Sequence, residues 1–170
     1  MNRLKLFTVS SIIGLVSLTS FVLLYLYSVA TYDIEYSITV SMADFTPLAT
    51  PQMGRISMDI FLESGEKCPI DLNEDSAHLF EPGGKYLFQD SLESQTGELE
   101  VDRAHVLWTS DNATGGIFIR KIAIILQNDS GGGRKSRQSV FRQHPDSLIP
   151  LYIGERLEFD KYGTIKRSRD

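Results

Sequence analysis

Apolar and polar residues alternate with a period of two from Ile34 onward, and this feature limits the fold more than any other. Successive side chains of a β-strand point to opposite faces, so the alternation predicts half-buried antiparallel strands. No stretch of residues 31–170 keeps a helical apolar stripe for three turns. The clearest alternation runs through Ile34, Tyr36, Ile38, Val40 and Met42, and then through Ile56, Met58, Ile60 and Leu62. Further strand candidates are 86–89, 99–101, 104–109, 117–126, 139–141 and 151–159.

Turn-forming residues separate these candidates. Pro82 followed by Gly83 suits a type II turn, because proline fixes the first central φ and glycine accepts a positive φ at the second. Glycine pairs or triplets also follow residues 114 and 130. Seven or eight short strands with turns between them are typical of an all-β domain, and they predict an antiparallel β-sandwich.

The chain begins with a long uncharged segment. Residues 6–30 carry no charge and follow Arg3 and Lys5, and 25 residues are long enough to cross a membrane as one hydrophobic helix. The flanking charges place the N-terminus on the cytoplasmic side and the remaining chain outside or in a lumen. Two alternatives stay open: a retained signal-anchor, which gives a single-pass membrane protein, or a signal peptide cleaved after Ala30, which gives a secreted one.

Charge is distributed unevenly along the chain. Residues 31–133 hold six basic and seventeen acidic residues, a net charge of −11, whereas residues 134–170 hold nine basic and five acidic residues, a net charge of +4. We therefore expect a polyanion to bind at the basic run Arg134, Lys135 and Arg137 on a loop, with Arg142 close behind. The exported topology argues against nucleic acid as the partner.

The sequence predicts no catalytic residues and no cofactor. A G-x-S-x-G nucleophile motif is absent, and the histidines available as bases are His78, His105 and His144. The single cysteine, Cys68, cannot form an intramolecular disulfide, and it has the environment of an unreactive thiol.

Two weaker patterns concern a cation and glycans. Asp71, Asn73 and Asp75 place oxygen ligands at alternate positions, as calcium loops do, but Ser76 and Pro82 stand where an EF-hand needs glycine and glutamate. A shallow calcium site is the weaker interpretation and a solvated turn the stronger one. Asn112 and Asn128 each begin an N-x-S/T sequon, which predicts glycosylation in an exported eukaryotic protein.

The strands and their spacing resemble the C-terminal PLAT (lipoxygenase-homology) domain of vertebrate-type triglyceride lipases. The resemblance covers about residues 34–145 and rests on strand patterns with a few Gly, Leu and Trp positions. The matching stretches are 36–40, 54–62 continuing into 67–72, 85–89, 97–99 leading to Val106-Leu107-Trp108, and 117–122. The resemblance implies an eight-stranded PLAT/C2-like β-sandwich without catalysis, used to dock on lipid, on a protein partner or on heparan-type glycan.

Particular residues follow from the same resemblance. Trp108, Thr109, Ser110 and Asp111 occupy the place where the family has a tryptophan and a loop that contacts lipid or a partner. Here that loop is short and polar, so Trp108 is expected to pack between the sheets. Arg134–Arg137 occupy the place of a basic, heparin-contacting stretch. The catalytic domain of the lipases has no counterpart in this sequence.

The sequence thus predicts three parts: residues 1–30 as signal-anchor or signal peptide, 31–145 as the PLAT-like sandwich, and 146–170 as a C-terminal strand with a basic tail. The leading hypothesis is a non-catalytic module that binds a lipid surface, a lipase-like protein or an anionic glycan. A second is a lipase-derived fragment or accessory subunit that acts in lipid hydrolysis with a separate catalytic chain. A third is a structural subunit of a membrane complex.

Overall fold

A computed structural model describes residues 31–44, 52–72, 77–110, 115–129, 133–144, 148–163 and 165–169. The predicted N-terminal hydrophobic helix lies outside these residues. Within the described part of the chain, no helix has the length and apolar character needed to cross a membrane. Residues Tyr32–Asp170 form one compact unit with its own core.

Ten β-strands make up the described part of this unit. They are β1 (Tyr32–Met42), β2 (Gln52–Leu62), β3 (Lys67–Asp71), β4 (His78–Phe80), β5 (Lys85–Ser94), β6 (Val101–Thr109), β7 (Ile119–Asn128), β8 (Lys135–Arg142), β9 (Glu155–Asp160) and β10 (Ile165–Arg169). All strand pairs are antiparallel. The longest strands, β1 and β2, are the segments in which the alternation of the sequence is clearest.

The strands form two sheets. One has four strands in the order β5-β1-β7-β8, and the other has six, in the order β10-β9-β6-β2-β3 with β4 also paired to β2. Alternate residues of both sheets are buried in one common core, which contains Ile38 of β1, Ile60 of β2 and Ile124 of β7. The predicted antiparallel β-sandwich is therefore confirmed.

The predicted count of eight strands is too low. The additional strands carry weak signals: β3 contains Pro69, which an edge strand tolerates, β4 has three residues, and β10 is strongly basic. The basic run predicted as a loop begins β8, so Lys135–Arg142 are strand residues. Segment 146–170, set apart by the sequence analysis, supplies β9 and β10 to the six-stranded sheet.

Trp108 lies in the centre of the core with none of its surface exposed. Its ring meets the Phe80 ring edge-on at a centroid distance of 5.4 Å. On its other side lies Gly54 of β2, where an added Cβ would stand 2.3 Å from the Cη2 atom of the tryptophan. The indole therefore occupies space that exists because residue 54 has no side chain.

At the end of the sandwich where β1 begins, Glu66 ties the β2–β3 turn to the β5–β6 loop. Its carboxylate accepts hydrogen bonds from Gln95 N at 2.7 Å, from Thr96 N at 3.2 Å and Thr96 Oγ1 at 2.7 Å, and from Ser94 Oγ at 2.9 Å. Burial raises the pKa of Glu66, but these hydrogen bonds favour the charged form and together hold that pKa below its usual value.

Candidate binding surfaces

The basic residues predicted to bind a polyanion do not form one cluster. Residues of β8 alternate between the two faces of the four-stranded sheet, and Phe141 marks the inner face because it is buried. Lys135 and Arg137 share that inner face, whereas Arg142 lies on the outer face, seven residues and about 23 Å along the strand from Lys135.

Lys135 and Arg137 line a groove at the end of the sandwich. They pair in register with Asn128 and Leu126 of β7, which face the core. Lys135 and Arg137 therefore occupy core-facing positions of β8, but at the end of the strand where these positions are exposed. The groove has a volume of about 710 Å³, and Glu98 and Glu100 also line it. We call this site the groove; its lining is mixed, with two cations and two carboxylates.

Arg134, the first residue of the basic run, is already neutralised. Its guanidinium lies 2.9 Å from the Glu35 carboxylate of β1 and also donates a hydrogen bond to the Gln127 side chain. Both partners belong to the outer face of the four-stranded sheet. Arg134 is therefore separated from Lys135 and Arg137 by the sheet itself, although it precedes Lys135 directly in sequence.

We call the outward-facing side chains of β1, β5, β7 and β8 the docking face. Its residues stand in rows across the four strands. One of these, the apolar row, consists in strand order of Leu87, Thr39, Ala123 and Val140. The two outermost members are well exposed, Leu87 at 59% and Val140 at 40%. Thr39 is partly exposed and Ala123 is buried, so the row presents two well-exposed apolar side chains, one at each edge of the sheet.

The next row of the docking face is cationic. Ser41 lies between Lys85 on β5 and Lys121 on β7, and Lys121 pairs with Arg142 on β8. We call Lys85, Lys121 and Arg142 the basic row. Within the described residues, none of the three forms an ion pair. Three uncompensated positive charges therefore stand beside the apolar row.

The outer face of the six-stranded sheet carries one ion pair and one histidine–carboxylate contact, while Arg55, Arg103 and Lys166 on the same face form no ion pair among the described residues. Lys67 lies 2.9 Å from Asp59, and His105 Nε2 lies 3.3 Å from Glu158. Burial lowers the pKa of His105 despite the opposing effect of Glu158. On the docking face the unpaired cations stand in one row instead, which makes it the stronger candidate for a partner with concentrated negative charge.

The predicted lipid or partner loop after β6 offers little apolar surface in the described residues. Trp108 is fully buried and Thr109 is exposed. The Ser110 hydroxyl donates a hydrogen bond of 2.6 Å to the backbone oxygen of Met53. Asp111, like the sequon residue Asn112, lies outside the described residues. With its indole inside the core, Trp108 contacts a membrane only if the sandwich opens.

The remaining site predictions concern Asn128 and the calcium candidates. Asn128, at the end of β7, is only 8% exposed, so the folded domain presents little of it to a glycan. Asp71 is exposed at the end of β3, and Asn73 and Asp75 lie outside the described residues. In the described ranges, no three His, Cys, Asp or Glu side chains gather where they could hold a metal ion.

Comparison with solved structures shows the fold. Three matching chains are all lipoxygenases. For the calcium-dependent 11R-lipoxygenase the TM-score is 0.54 at 14% identity, covering 75% of this chain and 17% of that one. For the engineered lipoxygenase Delta413-417:GS the TM-score is 0.52 at 15% identity, covering 76% and 16%, and its I805W derivative gives 0.51 at 14%. The fold is a PLAT-like β-sandwich.

The lipoxygenase matches limit what carries over to this chain. The PLAT-like sandwich spans about one sixth of each matched chain, the size of one domain and not of the whole enzyme. No protein-family model matches the sequence, and no curated protein does. The three structures named here are lipoxygenases and not lipases, so the resemblance to the lipase C-terminal domain stays a prediction.

Proposed function

We propose that this chain is a non-catalytic PLAT-like module that attaches, through the docking face, to a lipid surface carrying negative charge. The observation that carries the proposal is the position of the unpaired basic row directly beside Leu87 and Val140, the two exposed members of the apolar row. The resemblance to the lipase C-terminal domain, whose family role is docking, supports the same function. So does the restriction of the fold similarity to a single domain of the lipoxygenases.

The two rows would act together at a membrane surface. Each lysine or arginine near an anionic surface contributes about 1 kcal/mol, so the basic row contributes about 3 kcal/mol. Leu87 and Val140 would enter the boundary between headgroups and acyl chains, where burial of apolar side chains adds to this. The sum describes weak, reversible attachment, and stable anchoring takes a second signal. The predicted membrane segment of residues 6–30 would supply it.

The test uses residues 31–170, because Tyr32–Asp170 form a compact unit with a hydrophobic core, and circular dichroism checks that each variant is folded. Binding is measured by co-sedimentation with phosphatidylcholine vesicles with and without phosphatidylglycerol, at low and high salt. We expect binding only with phosphatidylglycerol, weakened by salt. The variant K121E/R142E should lose it.

A matched control separates the docking face from general electrostatic attraction. K135E/R137E changes the net charge by the same amount, but on the inner face and at the opposite end of β8. It should bind like the wild type. Equal loss in both variants, or binding that does not depend on phosphatidylglycerol, would contradict the proposal.

A second function, binding of an anionic glycan, is favoured by the groove. Lys135 and Arg137 line it together with the Tyr32 side chain, and neither cation has an ion-pair partner among the described residues. Its volume lies in the range of small-ligand sites. Heparin affinity chromatography tests this function with the same two variants. Here K135E/R137E should elute at lower salt, and K121E/R142E should elute close to the wild type.

A further inference from the structure

We propose that the basic row holds one lipid headgroup that ends in a phosphomonoester, with the phosphate seated over Ser41. This inference rests on the proposed function, because it names the lipid that the docking face selects. It concerns the outer face of the four-stranded sheet, and the loop after Trp108 has no part in it.

The register of the sheet forms the seat. Lys85 and Lys121 pair with Ser41 from opposite sides, so their Cα atoms are about 10 Å apart, two strand spacings. Between them the short serine side chain leaves a shallow floor with one hydroxyl group. Both lysine side chains are long enough to reach a phosphate placed over that floor. Arg142, one strand beyond Lys121, extends the positive wall on that side.

The charges of the seat favour an anion in it. Lys121 and Arg142 stand directly opposite each other, and like charges at such positions destabilise a sheet. Asp44, an acidic group just beyond the end of β1, lies 3.6 Å from Arg120, an exposed neighbour at the bulge that ends this pairing. Asp44 is thus matched by its own arginine. A bound dianion would relieve the repulsion within the basic row.

The number of cations and donors fits a phosphomonoester better than a phosphodiester. A monoester carries a charge of about −1.5 to −2 and three terminal oxygens. Arg142 can donate two parallel hydrogen bonds to two of them, Lys85 can reach the phosphate from the other side, and the Ser41 hydroxyl can donate from below. A diester offers two terminal oxygens and one negative charge. It would leave most of the positive charge uncompensated.

The apolar row identifies the ligand as part of a lipid surface. Leu87 lies two residues from Lys85 on the same face of β5, and Val140 lies two residues from Arg142 on β8. Both are exposed. A soluble phosphate compound would leave these side chains in water, whereas the surface of a bilayer would cover them while the phosphate fills the seat.

The experiment compares phosphatidic acid, a monoester lipid, with phosphatidylglycerol, a diester lipid, in phosphatidylcholine vesicles matched for surface charge by electrophoretic mobility. Residues 31–170 should bind the phosphatidic acid vesicles about tenfold more tightly, the effect of one additional charge-assisted hydrogen bond. Arg142→Gln and Lys85→Gln should each remove most of this preference. Lys135→Gln, which removes the same charge from the inner face of β8, should leave it unchanged.

Each result has a distinct meaning. Equal affinity for the two vesicle types would overturn the phosphate seat and leave the proposed docking function in place. Absence of binding to both would reject the docking function itself. Glycerol 3-phosphate in solution tests the source of the phosphate: weak competition is expected, and affinity equal to that of the vesicles would overturn the assignment to a lipid. A preference for phosphatidic acid that survives Arg142→Gln would also overturn the seat.

Discussion

The contact between Gly54 and Trp108 gives a prediction in which backbone propensity and side-chain packing have opposite effects on the stability of the fold. Gly54 lies in the interior of β2, and its φ is not positive. Replacing such a glycine by alanine ordinarily stabilises a protein by about 0.4–1 kcal/mol, because the unfolded chain loses freedom. Propensity alone therefore predicts that Gly54→Ala raises stability.

Packing predicts the reverse. The new Cβ would lie 2.3 Å from Trp108 Cη2 and 2.5 Å from the backbone oxygen of Thr109, whereas carbon atoms pack at about 3.5–4.0 Å. To reach normal separations, both the tryptophan atom and the oxygen would have to move by about 1 Å. The indole is fully buried against Phe80, and the oxygen belongs to the neighbouring strand β6, so neither is free to move. Overpacking of this kind costs about 1–3 kcal/mol, and a double clash belongs at the upper end. We expect a net loss of about 2 kcal/mol.

The assay is urea unfolding of residues 31–170, followed by the fluorescence of the single tryptophan and by circular dichroism. Gly54→Ala should lower the midpoint without changing the slope. Ser57→Thr also adds one methyl group to β2, but on its outer face, and should change stability by less than about 0.5 kcal/mol. A Gly54→Ala variant as stable as the wild type would show that the core yields around the indole, and the reasoning would fail.

Two further predictions concern titratable groups. Glu66→Gln should lower the free energy of unfolding by about 1 kcal/mol at neutral pH, because part of its hydrogen bonding to Thr96 and Gln95 is lost at a partly exposed site. Folding lowers the pKa of Glu66, so the stabilisation by its carboxylate is complete above the pKa of the unfolded chain and disappears as the pH falls through the pKa of the folded chain. The urea midpoints of the variant and the wild type should therefore converge in acid. Cys68 is 3% exposed, and burial together with Glu66 raises its pKa to about 11. A thiol reagent should label it only after denaturant is added; rapid labelling of the folded chain would contradict its burial.

The strands of the sandwich could be predicted wherever apolar residues occupy the inner face and polar residues the outer face. In β1 and β2 every second residue enters the core, and the alternation is visible in the sequence. It is not visible at the start of β8, because Lys135 and Arg137 occupy inner-face positions beyond the covered part of the core. The basic segment β10 carries no apolar alternation either, and it is the edge strand of its sheet.

The candidate site could not be predicted as a unit, because its members are distant in sequence. Lys85, Lys121 and Arg142 come together only through the strand order β5-β1-β7-β8, which is not the order of the chain. Conversely, Arg134 and Lys135 are neighbours in sequence, and the sheet separates them. A run of basic residues gives the charge of a segment. Whether a position is odd or even along the strand decides which face of the sheet carries that charge.

Because of this odd–even alternation, the length of the segment between β7 and β8 determines which face of the sheet carries the charges of β8. Insertion of one residue there, with the pairing of β8 slipped by one position, would exchange the two sides of the strand. Lys135 and Arg137 would then point outward, Val140 would replace Phe141 opposite Ile122, and Arg142 would take the place of Gln143, which is only 3% exposed. A single inserted codon would therefore transfer charge from one ligand surface to the other, and the cost of burying Arg142 opposes such a change.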